Sequence, residues 1–124
     1  NTDNWHTGGL AASIDPATGR IGAGLIRQDF PGGGWHSAHP DTGVVFEGVT
    51  VPDWDDIVAL VYRAAAMTPF IRTIGWDVAA TLDGPVIIEA NFSWGPMMCQ
   101  ACNGGLLTSE IRQEFAKFGL RFPG

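Results

Sequence analysis

Two apolar segments, residues 72–81 and 85–92, flank an Asp-Gly pair and constrain the fold more than any other part of the chain. Aspartate and glycine adopt the backbone angles of a tight turn, so the pattern predicts two antiparallel strands of one hairpin. Each strand carries a carboxylate inside its apolar run, Asp77 in the first and Glu89 in the second. A carboxylate buried alone is costly, so each of these side chains needs a cation or water as a partner.

The register of the hairpin decides whether the two carboxylates meet. Alternation along the second strand places Glu89 and Asn91 on the same face. A two-residue turn at the Asp-Gly pair would put Asp77 on the opposite face. A three-residue loop over 82–84, with Gly84 left-handed, would instead set Asp77 directly across from Glu89. We favour the second register.

In that register, two carboxylates and one amide would share a partly exposed face. Oxygen ligands of this kind suit Mg²⁺ or Mn²⁺ bridged to phosphate oxygens, whereas zinc prefers nitrogen or sulfur. The alternative is that Asp77 and Glu89 merely flank a solvent-facing sheet. The spacing alone favours neither interpretation.

The rest of the pattern predicts an α+β fold. Helix signals include Pro52 followed by acidic residues, an apolar stripe at helical spacing, and Thr108 as a cap. Hairpins outnumber alternating strand-helix units, which favours an antiparallel sheet with helices packed on one face, in a single domain of residues 1–124. The further predicted elements are strands at 10–14, 20–27 and 44–46 and helices at 52–68 and 109–118.

The amino-acid composition argues against two classes of binding partner, nucleic acids and anionic membrane surfaces. Seven Lys and Arg stand against thirteen Asp and Glu, a net charge of −6, so no basic stripe exists for nucleic acid or for an anionic membrane surface. No apolar run approaches the ~20 residues that span a bilayer. The two cysteines give no disulfide framework, which predicts a cytoplasmic protein. Since the first residue is Asn1, we expect a further segment upstream.

Four smaller features allow both a functional and a structural interpretation. The cysteines could form a zinc or redox pair, the two histidines a ligand pair, the glycine run a phosphate loop, and the five tryptophans a sugar-binding platform. We favour the structural interpretation in each case: free thiols for the cysteines, a polar loop for the histidines, a flexible loop for the glycine run, and core positions for two of the tryptophans. The residues are Cys99 and Cys102, His36 and His39, Gly32 to Gly34, and Trp5, Trp35, Trp54, Trp76 and Trp94, of which Trp54 and Trp76 are predicted core.

Asp77 followed by Glu89-Ala90-Asn91 resembles the Asp…Glu-x-Asn metal signature of the ATP-grasp superfamily. The wider set of motifs is more similar to the sugar-transfer-associated ATP-grasp family, found near bacterial polysaccharide genes. The matching strings are Gly75-Trp76-Asp77, Asp83-Gly84-Pro85, Ile88 to Asn91, Asp3 to Gly9, His39 to Gly43 and Val51 to Trp54. The resemblance therefore extends over nearly the whole chain.

The resemblance implies the C-terminal lobe of an ATP-grasp ligase, which activates a carboxylate as an acylphosphate for attack by an amine or another nucleophile. It implies that Mg²⁺ or Mn²⁺ ions bind the ATP phosphates, and that a small-molecule carboxylate or amine is the substrate. The implied roles are metal ligation by Asp77, Glu89 and Asn91, phosphate binding near Asn4, Gly8 and Gly9, and acceptor contact by Ser93, Trp94 and Gly95.

Two departures from the family pattern limit this expectation. Many superfamily members carry an arginine shortly before the position of Asn4 or two residues before the metal aspartate, where this chain has Gly75. Arg72 is then the candidate transition-state arginine, or that arginine is missing. The nucleotide-holding lysines belong to an N-terminal lobe that these 124 residues do not contain, so we expect this chain alone to be inactive. The alternative is a non-catalytic domain that binds carbohydrate or forms a homo-oligomer.

Overall fold

The structure is a computed structural model that describes residues 4–123. It contains a three-stranded and a two-stranded antiparallel sheet and three α-helices, which confirms the predicted α+β class. No helix within the described range is long and apolar enough to cross a membrane. The elements in chain order are a 3-10 turn at Trp5–Thr7, β1 Ala11–Ile14, β2 Ile21–Ile26, β3 Gly34–His36, α1 Trp54–Ala66, β4 Gly75–Thr81, β5 Gly84–Asn91, α2 Met97–Asn103 and α3 Ser109–Ala116.

The first sheet contains the predicted β1–β2 hairpin and a strand that the sequence did not predict. β3 pairs with β2 where a flexible glycine loop was expected, because Gly32 and Gly34, both at positive φ, turn the chain back onto β2. The strand predicted at 44–46 is wrong, since this segment contributes only the isolated bridge between Ala38 and Val45. β3 therefore forms one edge of the sheet, with β2 in its centre.

Helix α1 begins at Trp54 and packs against β4 and β5. Ile57 is buried on its inner face. The indole nitrogen of Trp54 donates a hydrogen bond to the carbonyl oxygen of Pro16, 3.0 Å away. A Cβ atom at Gly19 would lie 2.4 Å from Trp54 Cγ, so only glycine lets the indole reach the β1–β2 turn. This contact ties the start of α1 to the first sheet.

Helix α2 was not predicted and packs on β1 and β2. It carries both cysteines, which are free and half-buried, as expected. The Sγ atom of Cys102 lies 3.6 Å from the carbonyl oxygen of Ala11. Burial, with a smaller contribution from the charge of Cys99, raises the pKa of the Cys102 thiol and so lowers its reactivity.

The core is small for a chain of this mass. The accessible surface is 8759 Å², whereas a free-standing 13.2 kDa domain exposes on the order of 6,400 Å². Trp5, Ile26 and Ile57 are the buried apolar side chains among residues 4–123, while Phe70 is 94% exposed. The chain therefore leaves about a third more surface in contact with solvent than an independent domain of its size.

Candidate metal site

The β4–β5 hairpin turns over two residues, Leu82 and Asp83. Thr81 pairs with Gly84, and the Thr81 hydroxyl donates to the Gly84 carbonyl oxygen at 2.6 Å. The predicted three-residue loop is therefore wrong. Gly84 does have the expected positive φ, 104°, but it begins β5 instead of ending the loop.

A β-bulge at Ile88 corrects the register that the short turn would otherwise impose. Val78 pairs with Ile87 and Asp77 pairs with Glu89, so Ile88 is the extra residue. Without the bulge, Asp77 would pair with Ile88, and Glu89 would point to the other face. The predicted opposition of Asp77 and Glu89 is thus confirmed, although the bulge produces it and not the turn. Since Ile88 is 65% exposed, the bulge displaces little core packing.

The side chains of Asp77, Glu89 and Asn91 form one connected group on the exposed face of the hairpin. Asn91 Nδ2 donates a hydrogen bond to Glu89 Oε1 at 2.9 Å. Asp77 lies directly across the two strands from Glu89. The structure therefore brings together the three residues that the sequence singled out as metal ligands.

The two carboxyl groups perturb each other in opposite directions. The hydrogen bond with Glu89 raises the pKa of Asp77, with smaller contributions from burial and from the charge of Glu89. The hydrogen bonds from Asn91 and then from Asp77 lower the pKa of Glu89 against a small effect of burial. The pair therefore holds a proton at Asp77 most readily, because two negative charges this close repel each other.

The donor atoms of this group fit a hard divalent cation. A cation between Asp77 and Glu89 would relieve their repulsion, and carboxylate oxygens are the usual protein ligands of Mg²⁺. Among residues 4–123, no three His, Cys, Asp or Glu side chains form a cluster that could hold a metal. The third protein ligand would therefore be an amide. Asn91 uses its Nδ2 atom on Glu89, which leaves its Oδ1 atom for the cation.

The loop after β5 lies against the start of β4. A Cβ atom at Gly75 would be 2.8 Å from Trp94 Cβ and 3.6 Å from Asn91 Cβ. Gly75 thus lets Trp94 pack beside Asn91, at the edge of the candidate metal site. Ser93 and Gly95 are exposed on either side of it. Contact of this loop with an acceptor stays a prediction.

The candidate phosphate-binding residues lie in a different part of the fold. Asn4 Oδ1 accepts a hydrogen bond from the His6 amide at 2.9 Å and so caps the first turn. Gly8 and Gly9 line a cavity of about 490 Å³ whose described lining includes none of the three metal candidates. A phosphate role for these residues stays a prediction, and the described contacts do not join them to Asp77 in one cavity.

Arg27 fixes this N-terminal segment and was missed from the sequence. Its guanidinium carbon lies 5.7 Å from the Trp5 ring and 5.4 Å from the Phe30 ring, and it forms an ion pair with Asp29 at 2.6 Å. It also donates to the carbonyl oxygen of His6 at 3.2 Å. The sequence indicated only that Arg27 ends an alternating strand. Its partners depend on tertiary contacts, which the sequence pattern did not predict.

The histidines follow the structural interpretation, but the prediction of Trp54 and Trp76 as core positions is wrong, since both are only half-buried. His36 Nε2 lies 2.8 Å from the Gly32 carbonyl oxygen, and His39 Nδ1 accepts from the Asp41 amide at 3.3 Å, so local hydrogen bonds hold both rings. Of the five tryptophans, Trp5 is buried and Trp35 alone is more than half exposed, so they do not form one exposed platform for a sugar.

Comparison with known proteins identifies a family. A family model described as "Sugar-transfer associated ATP-grasp" matches residues 1–115, which include the three metal candidates and the loop after β5. No curated protein and no solved structure matches the chain.

Proposed function

Because the chain belongs to the sugar-transfer associated ATP-grasp family, we propose that it is the metal- and ATP-phosphate-binding lobe of an ATP-dependent carboxylate-amine (or related nucleophile) ligase. The observation that carries this proposal is the direct pairing of Asp77 with Glu89, together with the Asn91 hydrogen bond to Glu89. This arrangement offers oxygen ligands on one exposed face, where a nucleotide could approach.

In the proposed enzyme, Asp77, Glu89 and Asn91 would hold a Mg²⁺ or Mn²⁺ ion. Such an ion would supply positive charge to offset the charge of the transferring phosphoryl group, which is the main electrostatic demand of such a reaction. A substrate carboxylate takes the γ-phosphoryl group to form an acylphosphate and ADP, and the nucleophile then displaces inorganic phosphate. Asn4, Gly8 and Gly9 would approach the phosphates, and Ser93, Trp94 and Gly95 the acceptor. We further propose a role in polysaccharide biosynthesis, for which the family's description as sugar-transfer associated is the support, and a cytoplasmic location.

The proposal includes a second lobe that would complete the nucleotide site. A chain with a net charge of −6 has few cations to hold a triphosphate, so another lobe must supply the basic groups that do so. The large exposed surface and side chains such as Phe70 support the presence of a covering partner. Residues 1–124 would then form the C-terminal lobe as a single domain, inactive on its own.

A non-catalytic domain that self-associates is the second candidate. Tyr62, Met67 and Phe70, on the last turns of α1 and just beyond it, are 73%, 83% and 94% exposed, and such side chains can pack against a second copy. Light scattering across a wide concentration range tests this candidate. A strictly monomeric chain would contradict it, and a dimer abolished by Phe70→Ser would favour it.

Paramagnetic NMR tests the proposed metal site directly. In a ¹⁵N-labelled chain, substoichiometric Mn²⁺ is expected to broaden first the amide signals around Asp77, Glu89 and Asn91, and excess Mg²⁺ is expected to restore them. Glu89→Gln should abolish the broadening, whereas Glu47→Gln, at an exposed glutamate outside the hairpin, should not. Broadening centred elsewhere, or an unaltered response of Glu89→Gln, would refute the proposed site.

A further inference from the structure

A cavity of about 670 Å³ lies between α3, the segment that precedes β4, and the loop after β5. This volume is within the range of small-molecule sites. Most of the wall is apolar and aromatic, with a few polar groups from Arg72, Thr73, Gln100 and Glu114. The apolar wall includes Trp94, Leu107, Ile111, Phe115 and Phe118.

Arg72 is the cation of this wall. Its guanidinium carbon lies 4.5 Å from the centroid of the Phe118 ring, a stacking that holds the side chain over the cavity. Within residues 4–123 its guanidinium forms no hydrogen bond and no ion pair. Arg27, in contrast, is paired with Asp29, and Arg112 donates to backbone carbonyl oxygens. Arg72 therefore keeps its fork of N–H donors for a ligand.

The charges around the cavity favour an anion. Glu114 is the carboxylate of the described lining, and its solvent-exposed ion pair with Lys117 offsets part of its charge. Arg72 thus leaves a local positive charge in a chain whose net charge is −6. Because the overall field repels anions, an anion that binds here must be recognised locally.

The cavity also borders the candidate metal site. Trp94 lines the cavity and packs on Gly75, which is the β4 residue paired with Asn91. The Trp94 side chain therefore lies between a ligand in the cavity and Asn91, one of the proposed metal ligands.

From these observations we propose that the cavity binds an amphipathic carboxylate, with its apolar body among the aromatic side chains of α3 and its carboxylate on Arg72. The assignment of this molecule as the ligase substrate rests on the proposed function. The binding itself requires neither metal nor nucleotide. The substrate would then be an aromatic or aliphatic carboxylate and not a free sugar.

Calorimetric titration of the whole chain with 4-phenylbutyrate, in EDTA and without nucleotide, tests the proposal. The neutral analogue 4-phenylbutan-1-ol is the matched ligand, and we expect it to bind at least tenfold more weakly. Arg72→Met should weaken binding of the carboxylate at least tenfold and leave the alcohol unchanged. Arg63→Met, at an exposed arginine of α1, should change neither ligand. Ile111→Trp, which fills the cavity, should abolish binding of both ligands while the chain keeps its NMR dispersion.

Equal affinity for the carboxylate and the alcohol, or equal losses in Arg72→Met and Arg63→Met, would overturn the proposal. So would absence of binding together with a dimer that Ile111→Trp disrupts, since a second copy would then occupy the cavity. Because EDTA removes the metal, failure here is distinct from failure of the Mn²⁺ experiment. Carboxylate binding without a Mn²⁺ response would support the proposed ligand cavity and contradict the proposed metal site.

Discussion

Replacement of Asp77 by asparagine is expected to remove most of the stabilisation by metal without destabilising the metal-free chain. Contact with Glu89 raises the pKa of Asp77 above its ordinary 3.8, so between that value and the raised one the folded state binds more protons than the unfolded state. Stability then falls as pH rises through this window, and ionised Asp77 weakens the fold. Asparagine carries no charge and can still donate a hydrogen bond to Glu89. The metal-free variant should therefore melt at or slightly above the wild-type temperature at pH 7.

The metal-bound states should differ much more. Free Mn²⁺ at 100 times its Kd stabilises the folded chain by about 2.7 kcal/mol. For 124 residues, 1 kcal/mol corresponds to about 4 °C in Tm, so the wild type should gain about 10 °C. If loss of the carboxylate weakens binding about 100-fold, the gain at the same concentration falls to about 0.4 kcal/mol, or about 2 °C.

Differential scanning calorimetry with and without Mn²⁺ measures both effects. Asp83→Asn, in the turn of the same hairpin, is the matched control and should keep the full gain in Tm. The wild-type gain should also shrink as pH is lowered towards the raised pKa of Asp77, because a proton then competes with the cation. The reasoning is refuted if metal-free Asp77→Asn melts several degrees lower, or if it keeps the wild-type Mn²⁺ gain.

Two further substitutions probe the geometry around the site. Gly75→Ala is expected to cost about 1–3 kcal/mol and to reduce the Mn²⁺ gain, because the new methyl group would displace Trp94 beside Asn91, whereas Gly95→Ala, with open space around it, should be silent in the same melting assay. Deletion of Ile88 should remove the bulge and keep the Mn²⁺ gain, because the glutamate then still pairs with Asp77; loss of the gain in a folded variant would show that the bulge itself shapes the site.

The sequence predicted the elements whose signals are local. The β1–β2 hairpin, α1 and the β4–β5 hairpin follow from turn residues and periodicity, and Thr108 caps α3 as expected, its hydroxyl accepting from the Ile111 amide at 3.3 Å. Helix α2 was missed because it is seven residues long, follows Pro96 without a side-chain cap, and opens on consecutive apolar residues that show no stripe.

The pairing of Asp77 with Glu89 was predicted more accurately than the turn of the hairpin that produces it. A three-residue loop and a two-residue turn with one bulge set the same residues opposite each other, so pairing of Asp77 with Glu89 could be expected without knowing which applies. The cavity could not be expected. Arg72 and Phe118 are 46 positions apart, and only tertiary packing brings the guanidinium over the ring.

Because of the bulge at Ile88, the pairing of Asp77 with Glu89 does not require a three-residue turn at the tip of the hairpin. For Asp77 and Glu89, the two-residue tip and the bulge compensate for each other: a shift of one position at the tip that is not matched by a shift of one position at Ile88 would send the two side chains to opposite faces. A three-residue tip over 82–84 with Ile88 paired in the strand would thus return the same opposition. An Asp…Glu-x-Asn string of fixed spacing can accordingly arise from hairpins of different build, and the spacing by itself does not reveal which one a chain has adopted.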